Sequence, residues 1–337
     1  MKKSDYIPEF IYTSSDYNKY LIQYEGDIEL DLKGVPGLYV SKINDKYAIL
    51  TVINVEMGLS NEFRYIKNLI IRNNRDFDSI SFFKILEPYT LQEITPLEAT
   101  DFEYIQGSDS INLKGEGVIV GIIDTGIDYL NNIFMDETGK TRIEFIWDQG
   151  VNTKGNENNN IPYGTIYTSN DINKAINAYR NGENPYDIVP SRDEVGHGTH
   201  MASLVGGMDY NKNQVYGIAS KCRYGIIKLN EDMALKKRFN IKVPVYNLAT
   251  IFPALEYLKD YTLANSKPMV ILLPIESNSG NHKGNSILDK YIKTIASNVG
   301  IVIVTGTGNE GDAGGHSLSV IENVGDSEVI ELTISEE

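Results

Sequence analysis

The distribution of apolar and polar positions predicts two different kinds of folding unit along this chain. In the first 92 residues, short alternating apolar runs and one stretch with helical spacing predict a small α+β unit of ferredoxin-like type. The predicted strands lie at residues 20–24, 38–43, 47–53 and 80–86, and the predicted helix lies at residues 63–71. No set of side chains with catalytic potential stands out in this part.

From residue 117 onward, strand and helix patterns alternate, which is typical of a doubly wound parallel sheet. The fold class that we expect is therefore α/β, a doubly wound parallel sheet preceded by the small α+β unit. The predicted strands are 117–124, 142–147, 224–229, 269–275 and 301–304, and the predicted helices are 171–180, one beginning near His197, 249–263 and 286–297. Residues 328–334 alternate apolar and polar, which predicts an antiparallel strand that opens a new β-rich element.

The residue types of three short segments add local predictions. Either Ser169 or Asn170 is expected to be the N-cap of the helix at 171–180. Residues 151–160 are rich in asparagine and glycine and are expected to form a loop. The segment 88–114 is expected to be an extended, exposed connection in which a linker or a cleavage site would be tolerated.

Composition limits the classes of binding partner and the cellular compartment that we expect for this protein. The chain has 337 residues and a formal charge of −15, which argues against nucleic acid or an anionic membrane as the main partner. Its single cysteine, Cys222, rules out an internal disulfide, so no oxidising compartment is required. We find no secretory signal and no apolar run near the ~20 residues of a membrane span, so an intracellular or unsecreted protein is expected.

Three stretches carry candidate chemistry. The apolar strand 117–124 ends in Asp124 and is followed by the turn residues Thr125 and Gly126. His197 lies between two glycines at a predicted helix start, and Asn309 lies in the glycine-rich segment TGTGNEG after the last strand. A carboxylate beside an imidazole makes the histidine a competent general base, and a side-chain amide can donate to an oxyanion. Together the three predict part of a serine hydrolase.

The segments IIDTGID, HGTHMA and GTGNEG resemble the aspartate, histidine and oxyanion-asparagine motifs of the subtilisin-like serine proteases, in the chain order of that family. The resemblance covers about residues 113–324. It implies that Asp124 is the triad aspartate, His197 the triad histidine and Asn309 the oxyanion donor. It also implies that Asp124 and His197 lie within hydrogen-bonding reach, with Asn309 nearby across one cleft.

The segments IEFIWDQG, GTIYTSNDINKAI, IVPSRDEVGHGTHMA and GNEGDAGGH are similar to the clostridial subtilases that include the Csp spore-germination proteases. This resemblance implies a prodomain at residues 1–92 that chaperones and inhibits the protease, with YTLQ (Tyr89 to Gln92) lying in the substrate cleft after self-cleavage. Residues 93–324 would be the N-terminal part of the catalytic domain, and residues 325–337 the start of a jelly-roll insertion. The implied partners are a protein substrate, such as the precursor of a spore cortex hydrolase, and the chain's own prodomain. The implied location is intracellular or spore-associated.

Two features depart from the family pattern. No Gly-Thr-Ser motif, which holds the family's nucleophile, follows Asn309. Truncation of a longer gene product is the favoured explanation, and a catalytically inactive, partner-binding member of the family is the alternative. At residues 274–277 (PIES) the family usually has small residues, so Glu276 is expected to narrow or charge the substrate pocket.

Other enzyme classes fit the sequence less well. DTG also occurs in aspartic proteases, but they need two such carboxylates and only one DTG is present. A zinc hydrolase would require HExxH or several spaced ligands, and the chain has four histidines without that motif. The segment TGTGNEG is a poor match to a phosphate-binding loop. We therefore expect no cofactor and no metal, and we expect Asp193 and Glu194 to be solvated acids.

Overall fold

The structure is a computed structural model, and it describes residues 7–54, 59–73, 75, 77–84, 87–92, 113–151, 161–212, 214–215, 217–280, 282–309 and 319–330. The N-terminal part is a four-stranded antiparallel sheet with the order β2-β3-β1-β4, accompanied by one long helix. Its elements are β1 (Tyr17–Tyr24), α1 (Ile28–Asp31), β2 (Leu38–Lys42), β3 (Tyr47–Ile53), α2 (Leu59–Arg72) and β4 (Ile80–Phe83). The two-residue strand β5 (Thr90–Leu91) follows it and pairs elsewhere. The predicted small α+β unit is confirmed, as an antiparallel sheet with one long helix.

The second part is built on a six-stranded sheet with the order β14-β12-β6-β11-β7-β8, in which only β8 runs antiparallel to its neighbour. The strands of this sheet are β6 (Ile119–Asp124), β7 (Ile143–Asp148), β8 (Thr165–Thr168), β11 (Arg223–Lys228), β12 (Met269–Leu272) and β14 (Ile301–Val304). Three two-residue strands lie outside it: β9 (Met208–Asp209), β10 (Gln214–Val215) and β13 (Ile275–Glu276). The helices are α3 (Ser169–Arg180), α4 (His197–Gly206), α5 (Met233–Phe239), α6 (Leu248–Asn265) and α7 (Ile287–Ala296). The expected α/β fold class is confirmed.

Strand β6 is the centre of this sheet, and all six of its residues are buried. Because side chains alternate along a strand, Ile119 and Ile123 pack into the core beneath α6, whereas Val120 and Ile122 pack into the core beneath α3 and α4. Burial on both faces explains the unbroken apolar run that precedes Asp124. The carboxylate therefore lies at the end of a strand that is buried on both faces.

The N-terminal unit packs directly on the second unit. The Tyr47 ring lies edge-on to both Phe252 on α6 and Tyr291 on α7, with ring centroids 5.2 and 5.1 Å apart. In the same contact Asn44 donates to the Glu256 carboxylate and to the Tyr291 hydroxyl, at 3.3 Å each. Apolar and polar contacts thus hold the two units in one arrangement.

Several boundaries differ from the predictions. The N-cap of α3 is Thr168, one residue before Ser169 and two before Asn170, since Thr168 and Asp171 form a capping box. The predicted strand 269–275 is split into β12 and β13 around Pro274, which lacks the N–H that a central strand needs. Residues 328–330 are exposed and form no strand, and residues 331–334 lie outside the described part. The predicted loop 151–160 lies outside it beyond residue 151.

Candidate active site

Asp124 closes β6 and is fully buried at the carboxyl end of the parallel sheet. Its Oδ1 accepts a hydrogen bond from the backbone N–H of Thr125 at 2.6 Å, which fixes one side of the carboxylate. Gly126 follows with a φ of 123°, a conformation that residues with a side chain rarely adopt. The DTG turn therefore ends the strand sharply, and the carboxylate faces the start of α4.

His197 is the first residue of α4. Gly196 before it is left-handed, with a φ of 86°, and Gly198 after it packs so closely that an added Cβ would lie 2.2 Å from the carbonyl oxygen of Gly126. The two glycines that flank the histidine in sequence therefore allow the helix start to contact the DTG turn. The predicted helix start at His197 is confirmed.

The structure brings Asp124 and His197 into direct contact. Nδ1 of His197 lies 2.8 Å from Oδ1 and 2.9 Å from Oδ2 of Asp124. Burial by itself lowers the pKa of His197, but the hydrogen bond and the charge of Asp124 outweigh it, so the pKa is raised above its ordinary value. The carboxylate thus fixes the imidazole orientation and favours the protonated ring.

Asp193 holds the two motifs together, and the expectation that it is a solvated acid is wrong. Its Oδ1 accepts from the Thr125 hydroxyl at 2.7 Å and from the Gly196 N–H at 2.8 Å, and its Oδ2 accepts from the N–H and hydroxyl of Thr199 at 2.8 and 2.6 Å. Burial raises the pKa of Asp193, but these four donors outweigh it and hold the pKa below its usual value. Glu194, in contrast, is exposed as expected.

The segment Tyr89 to Gln92 lies in the cleft next to His197. On one side β5 pairs antiparallel with β13, and the Gln92 N–H donates to the carbonyl oxygen of Pro274 at 3.1 Å. On the other side Tyr89 and Tyr246 exchange two backbone hydrogen bonds of 3.0 and 2.9 Å. The segment is therefore held as an extended strand from both flanks, in the way that a cleft binds a peptide.

Gln92 is the point at which this strand meets the histidine. Its backbone carbonyl oxygen lies 2.6 Å from Nε2 of His197, and its side-chain oxygen accepts from the Gly306 N–H at 2.9 Å. A cavity of about 630 Å³ opens beside it, lined by Glu276, Gly306 and residues around them. Because both ring nitrogens of His197 face acceptors, the protonated imidazole is the form that satisfies both contacts.

Asn309 reaches the same segment but one residue earlier. Its side-chain N–H donates to the carbonyl oxygen of Leu91 at 3.3 Å, and its backbone N–H donates to the Glu276 carboxylate at 2.9 Å. The three predicted site residues therefore line one cleft, with the Asn309 amide directed at the carbonyl before the one that His197 contacts. The oxyanion role of Asn309 stays a prediction.

Sequence reasoning did not identify Asp193 or the contact between the Gln92 side chain and Gly306. The signal for Asp193 was its position three residues before Gly196, at the entrance to a helix, where aspartate commonly accepts backbone hydrogen bonds. Among the described residues, no group of three or more His, Cys, Asp or Glu side chains could hold a metal ion. Across the same part of the chain, no helix combines the length and apolar character needed to cross a membrane.

Comparison with known proteins places this chain in a family. Subtilisin-like protease SBT3.10 of Arabidopsis thaliana is 35% identical over 130 residues, which are 36% of this chain and 17% of that protein. Subtilisin-like protease SBT1.2 of the same plant is 29% identical over 107 residues, 31% of this chain and 14% of that protein. The structure of the Clostridium perfringens CspB protease matches with a TM-score of 0.53 and 34% identity.

The CspB match covers 64% of this chain and 41% of that chain, so the present chain spans less than half the length of the proteins that it matches. The family model described as the subtilase family matches residues 115–330, which include Asp124, His197 and Asn309. The chain belongs to the subtilase family.

Proposed function

We propose that this chain is the N-terminal part of a subtilisin-type serine endopeptidase that is made as a self-processing precursor. The observation that carries the proposal is that His197 contacts the Asp124 carboxylate through Nδ1 and the Gln92 carbonyl oxygen through Nε2, both at hydrogen-bonding distance. In such an enzyme a serine hydroxyl would stand next to Nε2 of His197, and we place that serine in a longer form of the polypeptide.

The reaction that we propose gives these residues the roles implied by the family, and it requires the Asn309 amide to move from the Leu91 carbonyl to that of Gln92. The serine oxygen attacks the carbonyl carbon of Gln92, and Nε2 of His197 takes the hydroxyl proton as general base. Asp124 stabilises the imidazolium that forms, and the Asn309 side-chain N–H donates to the developing oxyanion. His197 then returns the proton to the leaving amine when the bond between Gln92 and Glu93 breaks, and water hydrolyses the acyl-enzyme.

We further propose that residues 1–92 are the prodomain that chaperones and inhibits this protease. The hydrogen bonds that hold Tyr89 to Gln92 in the cleft support an inhibitory role, because the segment occupies the position that a substrate would need. The packing of Tyr47 against Phe252 and Tyr291 supports it as well, since the contact keeps the segment beside His197. The other boundaries that we propose are a catalytic part at residues 93–324 and an insertion that starts at residue 325.

The substrate that we propose is the precursor of a spore cortex hydrolase, cleaved during germination in a spore-associated location. The support is the similarity to the CspB protease. Mixing the longer polypeptide with such a purified precursor tests this step. A discrete cut that is lost in a His197→Ala variant supports the substrate assignment, and an intact precursor contradicts it.

The experiment for the main proposal is to sequence the coding region beyond Glu337 and to express the whole product. We expect a Gly-Thr-Ser motif after a β-rich insertion, and an intact mass that shows cleavage after Gln92. The His197→Ala variant should remain uncut, whereas a Glu194→Ala control, changed at an exposed position, should be cut as the natural protein is. A natural stop codon after Glu337, or an uncut product with His197 intact, would overturn the proposal in favour of a catalytically inactive, partner-binding subtilase.

A further inference from the structure

Lys19 lies in the middle of β1, on the face of the N-terminal sheet that packs against the second unit. Tyr20 and Ile22 pack into the core beneath α2, whereas Leu21 packs into the core that the N-terminal unit shares with α6. Because side chains alternate along a strand, Lys19 lies on the same face as Leu21, and both line a small cavity with Leu248 of α6. Only 5% of the surface of Lys19 is exposed, so the packing of the two units buries a charged side chain.

The ammonium group of Lys19 has no hydrogen-bond acceptor among the residues that the structure describes, and it forms no ion pair with any of them. The cavity beside it has a volume of about 10 Å³, which is room for about one water molecule. An ammonium group has three N–H donors, so one water molecule leaves donors of this buried positive charge unsatisfied.

The carboxylate whose charge acts on this ammonium group is that of Asp232, and its oxygens already accept other hydrogen bonds. Oδ1 accepts from the Leu235 N–H at the start of α5 at 2.9 Å, and Oδ2 accepts from the Asn247 side chain. Burial lowers the pKa of Lys19, and the negative charge of Asp232 offsets this effect only in part. The charged form of Lys19 is therefore less favourable in the docked arrangement than in water.

The other charged groups on the elements around Lys19 do not supply the missing partner. They form four ion pairs, which are Lys84–Glu87, Lys236–Glu231, Lys259–Glu256 and Arg238–Glu62. The remaining charged residues of α5 and α6, Lys237 and Asp260, are exposed. The pair of Arg238 on α5 with Glu62 on α2 joins the two units, so the same interface holds one paired charge and one charge without a pair.

We propose that Lys19 weakens the docking of residues 1–92 on the second unit and so makes this inhibitory segment releasable. When the two units separate, water solvates the ammonium group, whereas docking buries it without its full set of acceptors. The apolar contacts and the Arg238–Glu62 pair outweigh this cost, so the segment stays docked but less firmly than its other contacts allow. The inference rests on the proposed function, because release of residues 1–92 frees the cleft only if they act as an inhibitory prodomain.

The test compares urea denaturation of the 337-residue chain with that of its variants at about pH 7. Lys19→Met keeps an unbranched side chain without the charge, and we expect it to raise the folding equilibrium constant at least about tenfold, or about 1.4 kcal/mol. Lys19→Arg keeps the charge and should give no rise. Lys46→Met is the matched control at an exposed position of the same unit, and it should change the constant less than about threefold.

Two further measurements separate the charge and the interface from a general effect of methionine. The advantage of Lys19→Met should shrink at about pH 10, because a lysine whose folded pKa is lowered loses its proton before pH reaches the usual value of 10.5. In an Asp232→Asn background the advantage at pH 7 should be larger, because the ammonium group then lacks its attracting carboxylate. This coupling joins residues of different units and therefore exists only while the units are docked.

Four results would each overturn the inference. They are no rise with Lys19→Met, an equal rise with Lys19→Arg or Lys46→Met, an advantage that persists unchanged at pH 10, and an advantage that is the same with Asp232 and with Asp232→Asn. The third result would assign the gain to apolar burial, and the fourth to the N-terminal unit alone. None of these measurements requires peptide cleavage, so a failure here leaves self-processing standing, and a failure of self-processing leaves the weakened docking measurable.

Discussion

Nε2 of His197 lies 2.6 Å from the carbonyl oxygen of Gln92, while Nδ1 of the same ring lies 2.8 Å from the Asp124 carboxylate. The imidazole therefore bridges the buried sheet of the second unit and the last residue of the segment that fills the cleft. Protonation of His197 therefore affects how strongly residues 89–92 are held in the cleft.

The first prediction concerns pH. Burial lowers the pKa of His197, but Asp124 and the Gln92 carbonyl together raise it above the ordinary value, so the folded state binds this proton more tightly than the unfolded chain. The stabilisation is fully present below the unfolded pKa of about 6.5 and is lost as pH rises through the higher folded value. Chemical denaturation at a series of pH values above 6 should show this decline, and His197→Gln should lack that component of it. A decline of the same size in the variant would contradict the assignment.

The second prediction is that the 337-residue chain hydrolyses no peptide. Asp124 and His197 need a nucleophile, and members of a triad act as a unit, so the two alone give negligible turnover. A fluorogenic peptide library incubated with the purified chain checks this, with His197→Ala as the matched control. Turnover that disappears in this variant would contradict the prediction and would require a nucleophile among these residues.

The sequence predicted most of the sheet because β6 and β11 are largely buried runs and β14 is an uninterrupted apolar run, and polar turns separate these strands. It also predicted that Asp124 and His197 meet, since both motifs belong to one family pattern. The contacts of Gln92 with His197 and Gly306 could not be predicted from local sequence patterns. They join residues more than 100 positions apart, and only the folded N-terminal unit brings them together.

Local pattern also failed where one residue changed the outcome. Pro274 interrupts an apolar run whose pattern predicted a single strand. The residues after it form β13, which pairs with β5 and not with the main sheet. Asp193 was expected to be a solvated acid. Its four donors come from the DTG turn and from the start of α4, a combination that only the tertiary structure creates.

The third prediction concerns the close contact between α4 and the DTG turn. Gly198→Ala places a Cβ 2.2 Å from the Gly126 carbonyl oxygen and should cost about 3 kcal/mol of stability or more, since backbone must move to relieve the clash. Gly182→Ala is the control, because it has a left-handed φ of 80° but no atom within 4 Å, and should cost about 1–2 kcal/mol. Urea denaturation compares the two variants. A similar loss for both would show that crowding at the turn is relieved without cost.

The fourth prediction separates Asp193 from its neighbour Glu194. Asp193→Ala leaves four donors without their acceptor at a half-buried position, so we expect a loss of about 2–4 kcal/mol in the free energy of unfolding. Glu194→Ala removes only an exposed ion pair with Lys228 and should change it by less than about 1 kcal/mol. Loss of Asp193 should also lower the pKa of His197, because its negative charge favours the protonated ring. Urea denaturation and NMR titration of the histidine measure both effects. If Asp193→Ala lowers stability and leaves the titration of His197 unchanged, Asp193 braces the turn without acting on the imidazole.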